Sequence, residues 1–98
     1  MATYITLIKA PSDALGAFGD VDKWYEQIKK TAKLMGIKIV TVCGVLGPYD
    51  MMLVYEVADE RAAMKFTLAG QPRPGVYTET WAAIPMDDFV KLAGPGTD

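Results

Sequence analysis

The spacing of apolar residues along this chain of 98 residues changes several times, and each change marks an element. Thr3-Tyr4-Ile5-Thr6-Leu7-Ile8-Lys9 is dense in β-branched and aromatic residues and stops before Pro11, which predicts a first strand. Ser12 to Gly19, with Ser, Asp and two glycines, reads as a loop. Asp20 is placed to cap a helix, because Val21, Trp24, Ile28, Ala32 and Met35 then recur at three- and four-residue steps and form one apolar stripe. Lys23, Glu26, Lys30 and Lys33 take the other side, and Gly36 is the expected left-handed cap. Ile37 to Leu46 is almost continuously apolar and β-branched, which predicts a strand covered on both faces. Gly47-Pro48-Tyr49-Asp50 is a turn by composition, and Met51 to Val57 is its return strand, apolar on both alternating sets apart from Glu56. Asp59 caps a second helix through Ala62, Ala63, Phe66 and about Ala69, closed by Gly70 and Pro72-Arg73-Pro74-Gly75. The small residues on that helix let it sit close to a sheet. Val76 to Ala83 is the last strand, Met86 to Ala93 a short amphipathic helix carrying Phe89, Val90 and Leu92, and Gly94 to Asp98 a frayed tail.

The order β-α-β-β-α-β followed by a helix is the split βαβ pattern of an α+β, ferredoxin-like domain over residues 1–93. Two helices cover one face of a four-stranded antiparallel sheet and leave the other without a partner in the same chain. An apolar sheet face of that size marks an interaction surface, and sheet-to-sheet pairing of two copies into a barrel-like dimer, or a higher even oligomer, is the economical solution. Which alternating set turns toward the helices, Val40 and Val42 or Ile39 and Thr41, is left open by the pattern.

Composition removes most chemistry. The chain is 51% hydrophobic and 22% charged, with a mean hydropathy of +0.14, which is oily for its length and favours burial against a second copy. Without histidine, a Ser-His-Asp or Cys-His arrangement and imidazole-ligated haem or zinc are excluded within one chain. Cys43 stands alone, so there is neither an intrachain disulfide nor a multi-cysteine metal site, and a cytoplasmic location is expected. No leader-like start and no long apolar run are present, so neither secretion nor membrane spanning is expected. Ten basic against twelve acidic residues, net charge −2, leave no electrostatic footprint for nucleic acid. No metal or cofactor is expected.

The runs Gly47-Pro48-Tyr49-Asp50-Met51-Met52-Leu53-Val54-Tyr55-Glu56, Asp59-Glu60-Arg61-Ala62-Ala63-Met64-Lys65-Phe66 and Thr78-Glu79-Thr80 resemble the GYD family of small bacterial and archaeal proteins, named for a Gly-x-Tyr-Asp turn kept here as Gly47, Tyr49 and Asp50. Met1-Ala2-Thr3-Tyr4 and Asp88-Phe89 also fit, so the resemblance covers nearly the whole chain. It implies a dimeric α+β barrel of unknown function. The chain departs from the family at Tyr77, where a basic residue is frequent, and at Gln71-Pro72-Arg73-Pro74, which replaces a turn of small residues, so an anion-binding role at that position does not carry over directly and Arg73 is the candidate substitute.

Each candidate site has a structural counterpart. Tyr49 and Asp50 place a phenol and a carboxylate at a pocket mouth, with Asp50 as base or acceptor, or else Asp50 caps a turn and Tyr49 covers the core edge. Glu56 and Glu79 lie in strands among apolar residues, as a general acid or base requires or as a buried pair across a dimer would have it. Glu79 is the stronger candidate, flanked by Thr78, Thr80 and Trp81. Cys43 reads as a small buried hydrophobe with no histidine to activate it, and Gly44 beside it marks a bulge or a close approach. Tyr4, Tyr49, Tyr55, Tyr77 and Trp81 either line a flat apolar pocket or pack in the core and interface.

Three functions follow. The chain binds a small apolar or aromatic molecule between sheet and helices, with Tyr49, Asp50, Tyr77, Thr78, Glu79 and Trp81 as binding residues. Alternatively it is a cofactor-free enzyme transferring protons through Glu79 or Asp50, by analogy of fold with small monooxygenases and lactone isomerases. Or it is a structural or regulatory subunit of a larger complex. The first asks least of a sequence without histidine.

Overall fold

The computed structural model describes residues 1–9, 21–69 and 76–94. They form β1 (Ala2–Lys9), α1 (Val21–Leu34), β2 (Lys38–Gly44), β3 (Met51–Val57), α2 (Glu60–Ala69), β4 (Tyr77–Ala83) and α3 (Met86–Ala93). The expectations for Pro11, the 12–19 loop, Asp20, Gly70 to Gly75 and the tail past Gly94 fall outside these residues.

The four strands make one antiparallel sheet in the order β2-β3-β1-β4, the α+β ferredoxin-like arrangement expected of the sequence. α1 and α2 lie on one face. The register assigns the faces: Tyr4, Thr6 and Ile8 of β1 stand level with Tyr55, Leu53 and Met51 of β3. This set meets Ile28 and Ala32 of α1 and Ala63 and Phe66 of α2 in the core. Tyr55, fully buried, stacks beside Tyr4 at 6.4 Å and receives the edge of Phe66 at 4.9 Å.

The helix ends follow the expected chemistry. Asp59 Oδ1 accepts from the Ala62 N–H at 2.9 Å, a side-chain cap at the start of α2. Gly36 has φ +70°, the left-handed conformation that ends α1. Val21, placed on the apolar stripe by spacing, is exposed, because the stripe meets the core only from Trp24 onward.

β2 differs from expectation. It is an edge strand, with Lys38, Val40, Thr41 and Gly44 exposed, and it ends at Gly44, before the exposed Leu46. A bulge between Ile39 and Thr41 resolves the choice of faces by dividing both sets. Ile39 and Val42 turn toward the helices, Val40 is the extra residue, and Thr41 and Cys43 stand level with Val54 and Met52 on the other face. That open face also carries Thr3, Ile5 and Leu7 of β1, and no element among the described residues covers it.

Candidate functional site

On the open face, β4 presents Tyr77, Glu79, Trp81 and Ala83 level with Lys9, Leu7, Ile5 and Thr3 of β1. Residues two apart on a strand share a face, so Trp81 can reach Glu79: its indole N–H donates to Oε1 at 2.8 Å. The other carboxylate oxygen, Oε2, accepts from the Tyr49 hydroxyl at 2.8 Å.

Tyr49 comes from the far side of the sheet. It lies in the β2–β3 turn, where Gly47 takes φ +137° and the backbone is tied down twice. The Val45 N–H donates to the Asp50 carbonyl at 3.0 Å, and the Asp50 N–H donates to the Ile8 carbonyl at 2.8 Å. Since β1 separates β3 from β4, the Tyr49–Glu79 bond passes over β1 at Leu7, the residue paired with Glu79. Leu7 is accordingly buried although it belongs to the open face. The hydrogen bond to the Glu79 carboxylate, helped by desolvation, raises the Tyr49 phenol above its ordinary pKa, so Tyr49 acts as a neutral donor and not as a phenolate.

The binding residues expected from sequence are thereby divided. Tyr49, Tyr77, Glu79 and Trp81 gather on the open face, and Asp50 sits part-buried at the entrance to β3, its backbone closing the turn. Thr78 points to the helix side, where it lines a cavity of about 30 Å³ with Thr6, Trp24, Ile28, Phe66 and Thr67. A space of that size holds a water or two and no organic ligand. Neither Glu79 nor Asp50 lines it, and the Glu79 carboxylate is on the open face. The five aromatics divide in the same way, with Tyr4 and Tyr55 in or against the core and Tyr49, Tyr77 and Trp81 at the open face. Glu56 is on the open face opposite Lys38, Cys43 is part-buried 3.6 Å from the Thr41 hydroxyl, and a Cβ on Gly44 would meet nothing closer than the Asp50 carbonyl at 4.0 Å. Arg73 lies outside the described residues. Among the described residues no group of three or more His, Cys, Asp or Glu is placed to hold a metal ion.

A run of hydroxyls on the helix side is not among the features the sequence suggests. Thr6 Oγ1 lies 2.8 Å from the Tyr55 hydroxyl and 2.9 Å from that of Thr80, which is 3.3 Å from Thr67. It leaves the buried Tyr55 hydroxyl satisfied. A signal is present at Thr6, an inward strand position between Ile5 and Leu7, yet only the register puts it beside Thr80.

No helix among the described residues is long and apolar enough to cross a membrane. Comparison with curated proteins gave no match. Among solved structures, the chain is similar to TTHA0845 from Thermus thermophilus, with 25% identity, TM-score 0.60, and coverage of 87% of this chain and 95% of that one. It is also similar to FFRP-DM1, with 18% identity, TM-score 0.54 and coverage of 86% and 100%. MtbAldR shares the fold at 14% identity and TM-score 0.66 over 86% of this chain; the match spans about half of that protein, 53%. The family model described as the GYD domain matches residues 4–93, which takes in the turn with Tyr49, the strand with Glu79 and α3, and the chain belongs to the GYD family.

Proposed function

We propose that this chain is a cytoplasmic, homo-oligomeric binding protein in which a second copy covers the open sheet face and encloses a small-molecule site anchored on Glu79. The observation that carries this is the Glu79 carboxylate itself, held on an apolar face by one donor on each oxygen, Tyr49 and Trp81. An ionised carboxylate offers about four acceptor positions, and two hydrogen bonds leave roughly half of them for a ligand. Held between two rigid aromatic donors, the group needs no reorganisation to receive one. The ligand that fits is small and largely apolar or aromatic, with an amine, amide or hydroxyl donor for Glu79 and a flat surface for Trp81 and Tyr77.

The test is native mass spectrometry of protein purified gently from its own cells, beside a Glu79→Gln variant. An even-numbered oligomer with a reproducible extra mass, lost in the variant while the oligomer persists, is the expected result. A bare even oligomer in every preparation, or a mass that includes another protein, moves the function to assembly. A monomer overturns the enclosed site.

A further inference from the structure

The C-terminal helix is the element the fold uses least. None of the side chains of α3 is buried, and Met86, Phe89 and Val90 are 68%, 54% and 59% exposed. With Ala93 they stand at i, i+3, i+4 and i+7, one stripe along the helix. Asp87, Asp88, Lys91 and Leu92 take the remaining positions, so Leu92, which the sequence groups with Phe89 and Val90, lies off the stripe, and the acidic pair sits in the first turn where the helix dipole favours it. An isolated eight-residue helix is marginal in water, so an apolar stripe of this kind is held by packing or not at all.

α3 packs little on its own sheet and stands apart from α1 and α2. Only Ile84 and Pro85 separate it from β4, and Pro85 is extended, with φ −57° and ψ 148°. β4 is an edge strand, so α3 follows from the margin of the sheet. The Cα radius of gyration is 15.3 Å, with extents of 53 × 31 × 18 Å. A compact chain of this length has a radius of ~12.5 Å.

The same chain leaves a second apolar surface open, the sheet face with Ile5, Val54 and Trp81, the last 49% exposed. We propose that α3 is an exchanged arm: in the homo-oligomer the α3 of one copy lies on the open sheet face of its partner, sets its stripe over Trp81 and roofs the Glu79 site. This rests on the preceding conclusion that a second copy covers the face, and adds which part of it does so. Each copy supplies one helix and one face, so a two-fold pair satisfies both and leaves none over, which a foreign partner would not achieve. Covering Ile84 and the α3 stripe removes on the order of 500 Å² per helix, about 2,000 Å² in total once both helices and the surfaces beneath them are counted, the size of a stable interface.

The experiment uses the full chain and substitutions at exposed positions. Phe89→Asp with Val90→Asp is expected to weaken the dimer at least tenfold in analytical ultracentrifugation while leaving the circular dichroism of the fold intact. In a Trp24→Phe background, where Trp81 is the sole tryptophan, the same pair is expected to red-shift its emission and increase acrylamide quenching about threefold. Mixing that reporter with a chain carrying Trp24→Phe and Trp81→Phe, which has an intact α3 but no tryptophan, is expected to restore protection, since the helix arrives from the other copy. A dimer whose affinity and Trp81 quenching ignore the α3 substitutions overturns the exchange alone, as does protection that mixing does not restore. A parent chain that is monomeric at tens of micromolar overturns the second copy as well, and with it the enclosed site.

Discussion

Glu79 owes its position to two different kinds of neighbour. Trp81 is local, two residues along the strand, while Tyr49 is thirty residues away in sequence and arrives only because the β2–β3 turn is fastened to β1. The Tyr49 phenol is raised above 10.0 chiefly by the hydrogen bond to Glu79. A group with a raised folded pKa contributes stability that is fully present below its unfolded value and is lost as pH rises through the folded one. The Tyr49 phenol is therefore expected to titrate above its ordinary value in tyrosinate absorbance, read as the difference between the parent and Tyr49→Phe, and Glu79→Gln is expected to lower it. An unchanged titration would mean that Tyr49 does not donate to Glu79. On the helix side, Thr6→Val strands the buried Tyr55 hydroxyl, at a cost of about 1–3 kcal/mol in urea unfolding, and adding Tyr55→Phe is expected to recover part of it because no orphan remains. Glu79 stands out in the sequence as a carboxylate in a strand among apolar residues, with Tyr49 and Trp81 as candidates beside it. Thr78 groups with them as a sequence neighbour, but adjacent strand residues point to opposite faces, and it lines the helix-side cavity instead.

The helices and the return strand are legible in outline because their signals are local. Met51–Val57 and Met86–Ala93 follow directly from pattern, and the Asp59 cap from a residue type that satisfies a helix N-terminus. Asp59→Ala is expected to lose about 1 kcal/mol by denaturant unfolding with little change in slope; a loss below a few tenths would show that the cap is redundant. The sequence misleads at β2 because a run of β-branched residues looks alike in a central and an edge strand. What decides its place is the order β2-β3-β1-β4, set by pairings far apart in sequence. The bulge at Val40 is equally invisible, since its effect is to shift the alternation that a pattern reading assumes. At an edge it has a benefit, because an extra residue and the exposed Lys38 make further strand addition less favourable.

The apolar surface left over at the end of folding is spread unevenly. One side of the sheet is closed by α1 and α2 around Leu53, Tyr55 and Val57, while the other side and the stripe of α3 stay open. A chain of 98 residues has little stability to spare, so the proposed second copy over these apolar surfaces would couple folding to assembly. The consequence is measurable in the melting temperature. For a folded dimer of unfolded monomers, each tenfold rise in concentration adds about 1.4 kcal/mol. Unfolding two chains of this length carries an entropy of about 0.4 kcal/mol per kelvin, so the midpoint is expected to rise by about 3 °C per tenfold concentration. Phe89→Asp with Val90→Asp is expected to flatten that dependence over the range where the variant has dissociated, while Thr6→Val lowers the midpoint at every concentration and keeps the slope. The contrast separates what holds the core from what joins the copies. A parent midpoint independent of concentration, from micromolar to hundreds of micromolar, would show that the sheet and two helices stand without a second copy and that the open face serves something other than assembly.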